Sequence, residues 1–128
     1  MANYANKSVL VVDDFKMTIR IVHNLLRQIG FSDLDEAANG AEALGKLRSK
    51  SYDLIISDWN MEPMTGIELL RAVRADRTLA QTPFIMITAE SKTENVIAAK
   101  QAGANNFIVK PFSAEKLGDK VSAIFGQG

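Results

Sequence analysis

The 128-residue sequence contains no cysteine, so it forms no disulfide, offers no thiolate nucleophile and holds no metal through sulfur. It also lacks an excess of either charge: Lys plus Arg and Asp plus Glu each number 15, for a formal net charge of zero. No global field therefore favours nucleic acid or an anionic membrane as a partner. No apolar run approaches the roughly 20 residues of a membrane span, and the stretch from Met1 to Lys7 has no apolar signal core. There is neither a G-x-x-x-x-G-K-[ST] phosphate loop nor a kinase-type glycine loop, so ATP is not expected to bind here. The only histidine is His23, which falls off the apolar stripe of its helix and is expected to face solvent. These absences describe a cytoplasmic protein with no linker, repeat or low-complexity tract, expected to be a single domain over residues 1–128.

What is present is an ordinary globular composition, 47% apolar and 23% charged, with strands and helices in alternation. The stretch Leu54-Ile55-Ile56-Ser57-Asp58 runs three bulky apolar residues into a carboxylate. A continuous apolar run of this length reads as a strand buried on both faces. Asp58 therefore belongs at its carboxyl end, facing a crevice. Similar runs are Val9-Leu10-Val11-Val12, Phe84-Ile85-Met86-Ile87-Thr88 and Phe107-Ile108-Val109-Lys110, with a weaker strand from Asp33 to Ala37. Between them lie helical spacings. Ile21, Val22, Leu25, Leu26 and Ile29 mark the first, with Gly30 as its stop. Asn39-Gly40-Ala41-Glu42, Thr65-Gly66-Ile67-Glu68 and Ser91-Lys92-Thr93-Glu94 read as capping boxes, and Ser113 caps the last helix. Five strand–helix units with short connections predict an α/β fold, a parallel sheet with helices on both faces.

The carboxyl ends of the predicted strands carry Asp13, Asp14, Asp58, Thr88 and Lys110. Each has a bland explanation taken alone. Asp14 suits the N-cap of the first helix, Asp58 could cap a turn, Thr88 is a common β-branched strand residue, and Lys110 could be a solvated lysine. Together they fall on one edge of the sheet, where ligands of open α/β folds bind. Three carboxylates this close repel one another and raise each other's pKa, and a hard divalent cation such as Mg²⁺ relieves that. Asp58 can then act as a carboxylate nucleophile that accepts a phosphoryl group. Lys110 supplies a fixed positive charge and Thr88 a hydroxyl donor for the phosphoryl oxygens. With no nucleotide loop, the donor must be a partner protein or a small phosphodonor.

Asp13-Asp14, Asp58, Thr88-Ala89 and Lys110-Pro111-Phe112 resemble the receiver domains of two-component response regulators, over essentially the whole chain. The words Val11-Val12-Asp13-Asp14-Phe15 and Ser57-Asp58-Trp59-Asn60-Met61 are similar to the single-domain receivers of chemotaxis. The resemblance implies a flavodoxin-like (βα)5 fold with strand order 2-1-3-4-5, an order that spacing alone does not give. It implies Asp58 as phosphoacceptor and Mg²⁺ on Asp14, Asp58 and the main-chain carbonyl of Asn60, with Asp13 acting through water. It implies a cis Lys110–Pro111 peptide, and Asn60 and Glu90 as side chains that influence hydrolysis of the acyl phosphate. Thr88 and Phe107 would form the switch. Ser91, Lys92, Val96, Phe107 and Lys120, on the fourth helix, fifth strand and fifth helix, would form the partner surface. The implied partners are a histidine kinase as donor, the flagellar motor switch as target and a phosphatase. The protein would be a monomer, and no enzyme beyond its own phosphorylation and dephosphorylation.

Two positions depart from the family pattern. Phe107 stands where many such receivers have tyrosine, and the loop Met61-Glu62-Pro63-Met64-Thr65-Gly66 lacks the usual proline directly after methionine. Alternatives from other classes are weaker. A receiver acting as phosphate sink or relay outside chemotaxis fits the same motifs. An aspartate-nucleophile phosphatase would want a second acid where Asn60 stands, and a flavin carrier would not place Asp13-Asp14 where phosphate must bind.

Overall fold

The apolar runs become five strands, and each is followed by a helix, in a computed structural model described here for residues 4–62, 64–89 and 93–126. In chain order these are β1 (Ser8–Val12), α1 (Lys16–Ile29), β2 (Asp33–Ala37), α2 (Gly40–Ser49), β3 (Leu54–Asp58), α3 (Gly66–Ala75), β4 (Phe84–Thr88), α4 (Thr93–Ala102), β5 (Asn106–Val109) and α5 (Ala114–Phe125). All pairings are parallel and the sheet order is β2-β1-β3-β4-β5, as the family resemblance implied. Alternation along each strand sends side chains to opposite faces. Val9, Val11, Ile56, Ile85 and Ile87 join α1 and α5 in one core layer. Leu10, Val12, Ile55, Phe84 and Met86 join α2 and α3 in the other. Burying each such side chain contributes about 1.5–3 kcal/mol, so both layers are needed to hold the sheet.

The first helix corrects three expectations. Its phase is set by Ile19, Val22 and Leu26, and the fourth buried position is His23, only 9% exposed. His23 therefore does not face solvent. In the tautomer protonated at Nε2 it donates to the main-chain oxygen of Asp35, 3.2 Å away. Ile21, expected on the stripe, lies about 200° around the helix from Ile19 and is 51% exposed. The helix also does not use Asp14 as its cap: the N-cap is Phe15, with no side-chain cap bond.

The other helix starts follow the sequence closely. Thr65 and Glu68 form a full capping box, and Ser113 accepts from the Lys116 N–H. At α2, Asn39 accepts from the Glu42 N–H, but the Glu42 carboxylate reaches back to the Ala38 N–H rather than to Asn39. The expected box at Ser91 and Lys92 falls outside the described residues. Gly30 and Gly103 end α1 and α4 with φ of 127° and 103°, a region open to glycine.

Arg74 on α3 joins two connections, α3–β4 and α4–β5, through main-chain oxygens. Its Nε and Nη2 donate to Gly103 O at 3.1 and 2.9 Å, and its Nη1 to Thr82 O and Ala80 O at 2.6 and 3.2 Å. Nη2 also reaches Asn105 Oδ1, which accepts from the Phe84 N–H at the start of β4. Arg74→Ala strands several of these carbonyls and should cost about 2–4 kcal/mol. A lysine, with one compact ammonium, should restore less than half. Urea unfolding measures both; unchanged stability in the alanine variant would show that the loops hold themselves.

Candidate functional site

The sheet ladder continues one residue past the strand ends, and that extension fixes the polar groups. The Asp13 N–H donates to Ala37 O at 3.1 Å, the Trp59 N–H to Ile87 O at 2.8 Å and the Lys110 N–H to Thr88 O at 2.8 Å. Asp58, the last residue of β3, sits opposite Ile87 and is 6% exposed. Four strand ends thereby converge on one crevice, as the sequence suggested.

Within it, Lys110 Nζ lies 2.9 Å from Asp58 Oδ1 and 3.9 Å from Asp13 Oδ2. Asp13, Asp14 and Asp58 each offer an oxygen within 4.8 Å of the others. Asp13 is 2% exposed; its Oδ1 accepts from the Phe15 N–H, and its Oδ2 is buried without a hydrogen-bond partner among the described residues. A buried carboxylate oxygen with no hydrogen bond is costly. It is what an all-oxygen site for a hard cation would present before the ion arrives, so these residues fit Mg²⁺. Asp14 is exposed and, with the helix capped elsewhere, free to contribute its carboxylate.

Burial, opposed by the Phe15 N–H bond and reinforced by the Asp58 and Asp14 charges, raises the Asp13 pKa to about 6. The sign follows from linkage. A raised carboxyl pKa favours the protonated form, so the metal-free fold loses stability as pH rises from the unfolded value towards 6. Mg²⁺ needs the carboxylate and competes with that proton. Apparent Mg²⁺ affinity should be nearly constant above pH 7 and fall by about tenfold per unit below 6. Fluorescence of Trp59, the only tryptophan and the neighbour of Asp58, should follow the titration. Equal affinity at pH 5 and 7.5 would remove Asp13 from the metal site.

Thr88 is buried at the end of β4 opposite Val109. Phe107 is half-buried beside it and, with Thr88, Trp59, Met86, Asn95 and Val96, lines a small void. Lys120 Nζ sits 5.7 Å from the Phe107 ring centre, within cation–π range. The Lys110–Pro111 peptide is cis. Glu90, Ser91 and Lys92, expected to modulate hydrolysis and to contribute to the partner surface, lie outside the described residues. Beside the crevice an open groove of about 890 Å³ is lined by Asp14, Asn60, Met61, Glu62 and Thr65. Neither Glu62 nor the tight seating of Gly66 was marked as functional from sequence; the unusual loop composition was the one available signal.

Residues 9–122 match the family model for the response regulator receiver domain. The chain is 50% identical over 117 residues to chemotaxis protein CheY of Pseudomonas aeruginosa, covering 91% of this chain and 94% of that protein. It is 49% identical over 120 residues to chemotaxis protein CheY-3 of Vibrio cholerae, covering 94% and 92%. Among solved structures, chemotaxis protein CheY4 of Vibrio cholerae gives a TM-score of 0.86 at 37% identity, covering 92% of this chain and 98% of that one. A sensor histidine kinase receiver domain from Pseudomonas aeruginosa, with a magnesium ion coordinated in its active site cleft, gives 0.84 at 25% identity, covering 94% and 98%.

Proposed function

This chain belongs to the response regulator receiver family, and from that premise we propose that Asp58 is its phosphoacceptor and that the phosphorylated form acts on the flagellar motor switch in chemotaxis. The family assignment makes it a phospho-accepting regulator with a histidine kinase as donor. The observation that carries the residue assignment is the Lys110 ammonium 2.9 Å from a buried Asp58 carboxylate, beside a three-carboxylate cluster.

The chemistry follows from those positions. An Asp58 oxygen attacks phosphorus, the bond from phosphorus to the kinase imidazole nitrogen breaks, and the electron pair leaves with that nitrogen. Lys110 passes from the carboxylate to a phosphoryl oxygen, and the Thr88 hydroxyl donates to another. Mg²⁺ held by Asp13, Asp14, Asp58 and the Asn60 carbonyl would neutralise charge on the phosphoryl oxygens. Asn60 would flank the acyl phosphate, and Asn60 and Glu90 would influence its hydrolysis, with the protein catalysing only its own phosphorylation and dephosphorylation. An amide at Asn60 cannot serve as the general acid that a turnover phosphatase needs.

Thr88 and Phe107 line the same small void, so a turn of Thr88 towards the new oxygens would vacate space for Phe107, and that movement would reshape the face carrying Lys120. The chemotaxis names of the relatives support the motor switch as target. Among the described residues no helix is long and apolar enough to cross a membrane. The proposed setting is the cytoplasm and the proposed state a monomer. A phosphatase would complete the cycle.

Fluorescence anisotropy against purified motor switch protein tests the reading. Phosphorylation should tighten binding by about tenfold or more. Thr88→Ala should still take up phosphate but lose most of that gain. Equal binding by both forms of the wild type would replace the motor role with that of a phosphate sink or relay.

A further inference from the structure

The loop between β3 and α3 is pinned at several points. The Gly66 N–H donates to Trp59 O at 2.9 Å, closing the loop at its base. Met61 is buried in the α2–α3 layer, and its sulfur lies 3.9 Å from Ser57 Oγ. Met64 packs so tightly on the start of α2 that a Cβ on Gly40 would lie 2.5 Å from its sulfur. Thr65 is held in its capping box. With its neighbour Met61 turned into the core, Glu62 is exposed and lines the same groove as Asp14 and Asn60. Among the described residues it has no ion pair or hydrogen-bond partner, so its charge is directed at whatever enters.

We infer that Glu62 selects against small dianionic phosphodonors. This rests on Asp58 being the acceptor. The three carboxylates of the crevice face one lysine and the cation they are built to hold, so the inner site is close to balanced, and Glu62 adds an uncompensated negative charge at the entrance. A dianion such as acetyl phosphate meets that charge on approach. A phosphoryl group carried on a protein histidine is brought in by surface contacts that outweigh it. Glu62 thereby biases uptake towards the kinase and away from free acyl phosphates. With acetyl phosphate, the Asp58 oxygen–phosphorus bond forms, the phosphorus–oxygen bond to acetate breaks, and acetate leaves with the electron pair.

Coulomb's law sets the size. At a separation on the order of 10 Å in water, a unit charge slows a dianion by about fourfold and a monoanion by about twofold. The test measures initial phosphoryl uptake at saturating Mg²⁺ for wild type, Glu62→Gln and Glu62→Asp. Acetyl phosphate is the dianionic donor and phosphoramidate, with one net negative charge at neutral pH, the comparison. Glu62→Gln should gain about fourfold with the first and about twofold with the second at low salt, with both gains lost near 0.5 M KCl. Glu62→Asp should match wild type. Equal rates for wild type and Glu62→Gln overturn the inference while leaving Asp58 as acceptor. So does a gain that is the same for both donors and persists in salt, because that reports a change of loop shape. A changed Mg²⁺ affinity in Glu62→Gln also overturns it, by placing the effect at the metal. No uptake by wild type from either donor overturns the acceptor assignment and this inference together.

Discussion

Lys110→Met is expected to slow phosphoryl uptake by about 100- to 1,000-fold while leaving the fold intact. The methionine keeps most of the stem volume and removes only the charge. That charge is held ready: the Lys110 N–H is fixed to Thr88 O, and the ammonium already sits 2.9 Å from Asp58 Oδ1. In phosphoryl transfer most of the protein's contribution is such positioned charge. A cation waiting at the site needs only the short shift from carboxylate to phosphoryl oxygen, so its removal acts on the rate rather than on binding alone. Time courses of intact mass with acetyl phosphate, at Mg²⁺ saturating for each variant, measure the effect. A rate within threefold of wild type would reduce Lys110 to a resting ion pair and leave the cluster's bound cation to carry the charge.

Gly66→Ala is expected to be as damaging through packing. A Cβ at Gly66 would come 2.3 Å from the main-chain oxygen of Asp58 and 3.0 Å from the Trp59 Cα, both backbone atoms, as well as 2.8 Å from the Met86 sulfur. A flexible side chain could yield; the backbone of Asp58 and Trp59 cannot without carrying the Asp58 carboxylate with it. The variant should lose about 3 kcal/mol in urea unfolding. The part that folds should take up phosphate at least about tenfold more slowly, since a displacement near 1 Å is costly in a positioned site. Gly45→Ala is the matched control. That glycine lies within α2 and its Cβ would meet nothing within 4 Å. The change should therefore stabilise the protein by about 0.5–1 kcal/mol. If Gly66→Ala behaved like Gly45→Ala, the close approach of α3 to β3 would not matter to the site.

The contrast between these glycines shows which features a sequence carries. Strands buried on both faces announce themselves as unbroken apolar runs, so β1, β3, β4 and β5 and the polar residues at their ends were legible. So were the caps at Thr65 and Ser113, whose bonds are local in the chain. The phase of α1 was not: Ile21 and Ile19 are equally apolar, and only the sheet decides which faces inward. His23 was misplaced for the same reason, since its partner is a main-chain oxygen on β2. Arg74, Gly66 and the exposed side of Glu62 depend on contacts between elements distant in sequence, which leave no periodic trace. Asp14 shows the converse. Its capping role was a fair local expectation, and the structure frees it for the cluster by placing the cap at Phe15.

The most direct measurement is intact mass after exposure to acetyl phosphate, with and without Mg²⁺, for wild type and Asp58→Asn. Wild type should gain one phosphoryl group, only with Mg²⁺, and the variant should gain none. A gain that survives Asp58→Asn, or wild type that gains nothing under any condition, would contradict the assignment of this crevice as a phosphoryl-accepting site.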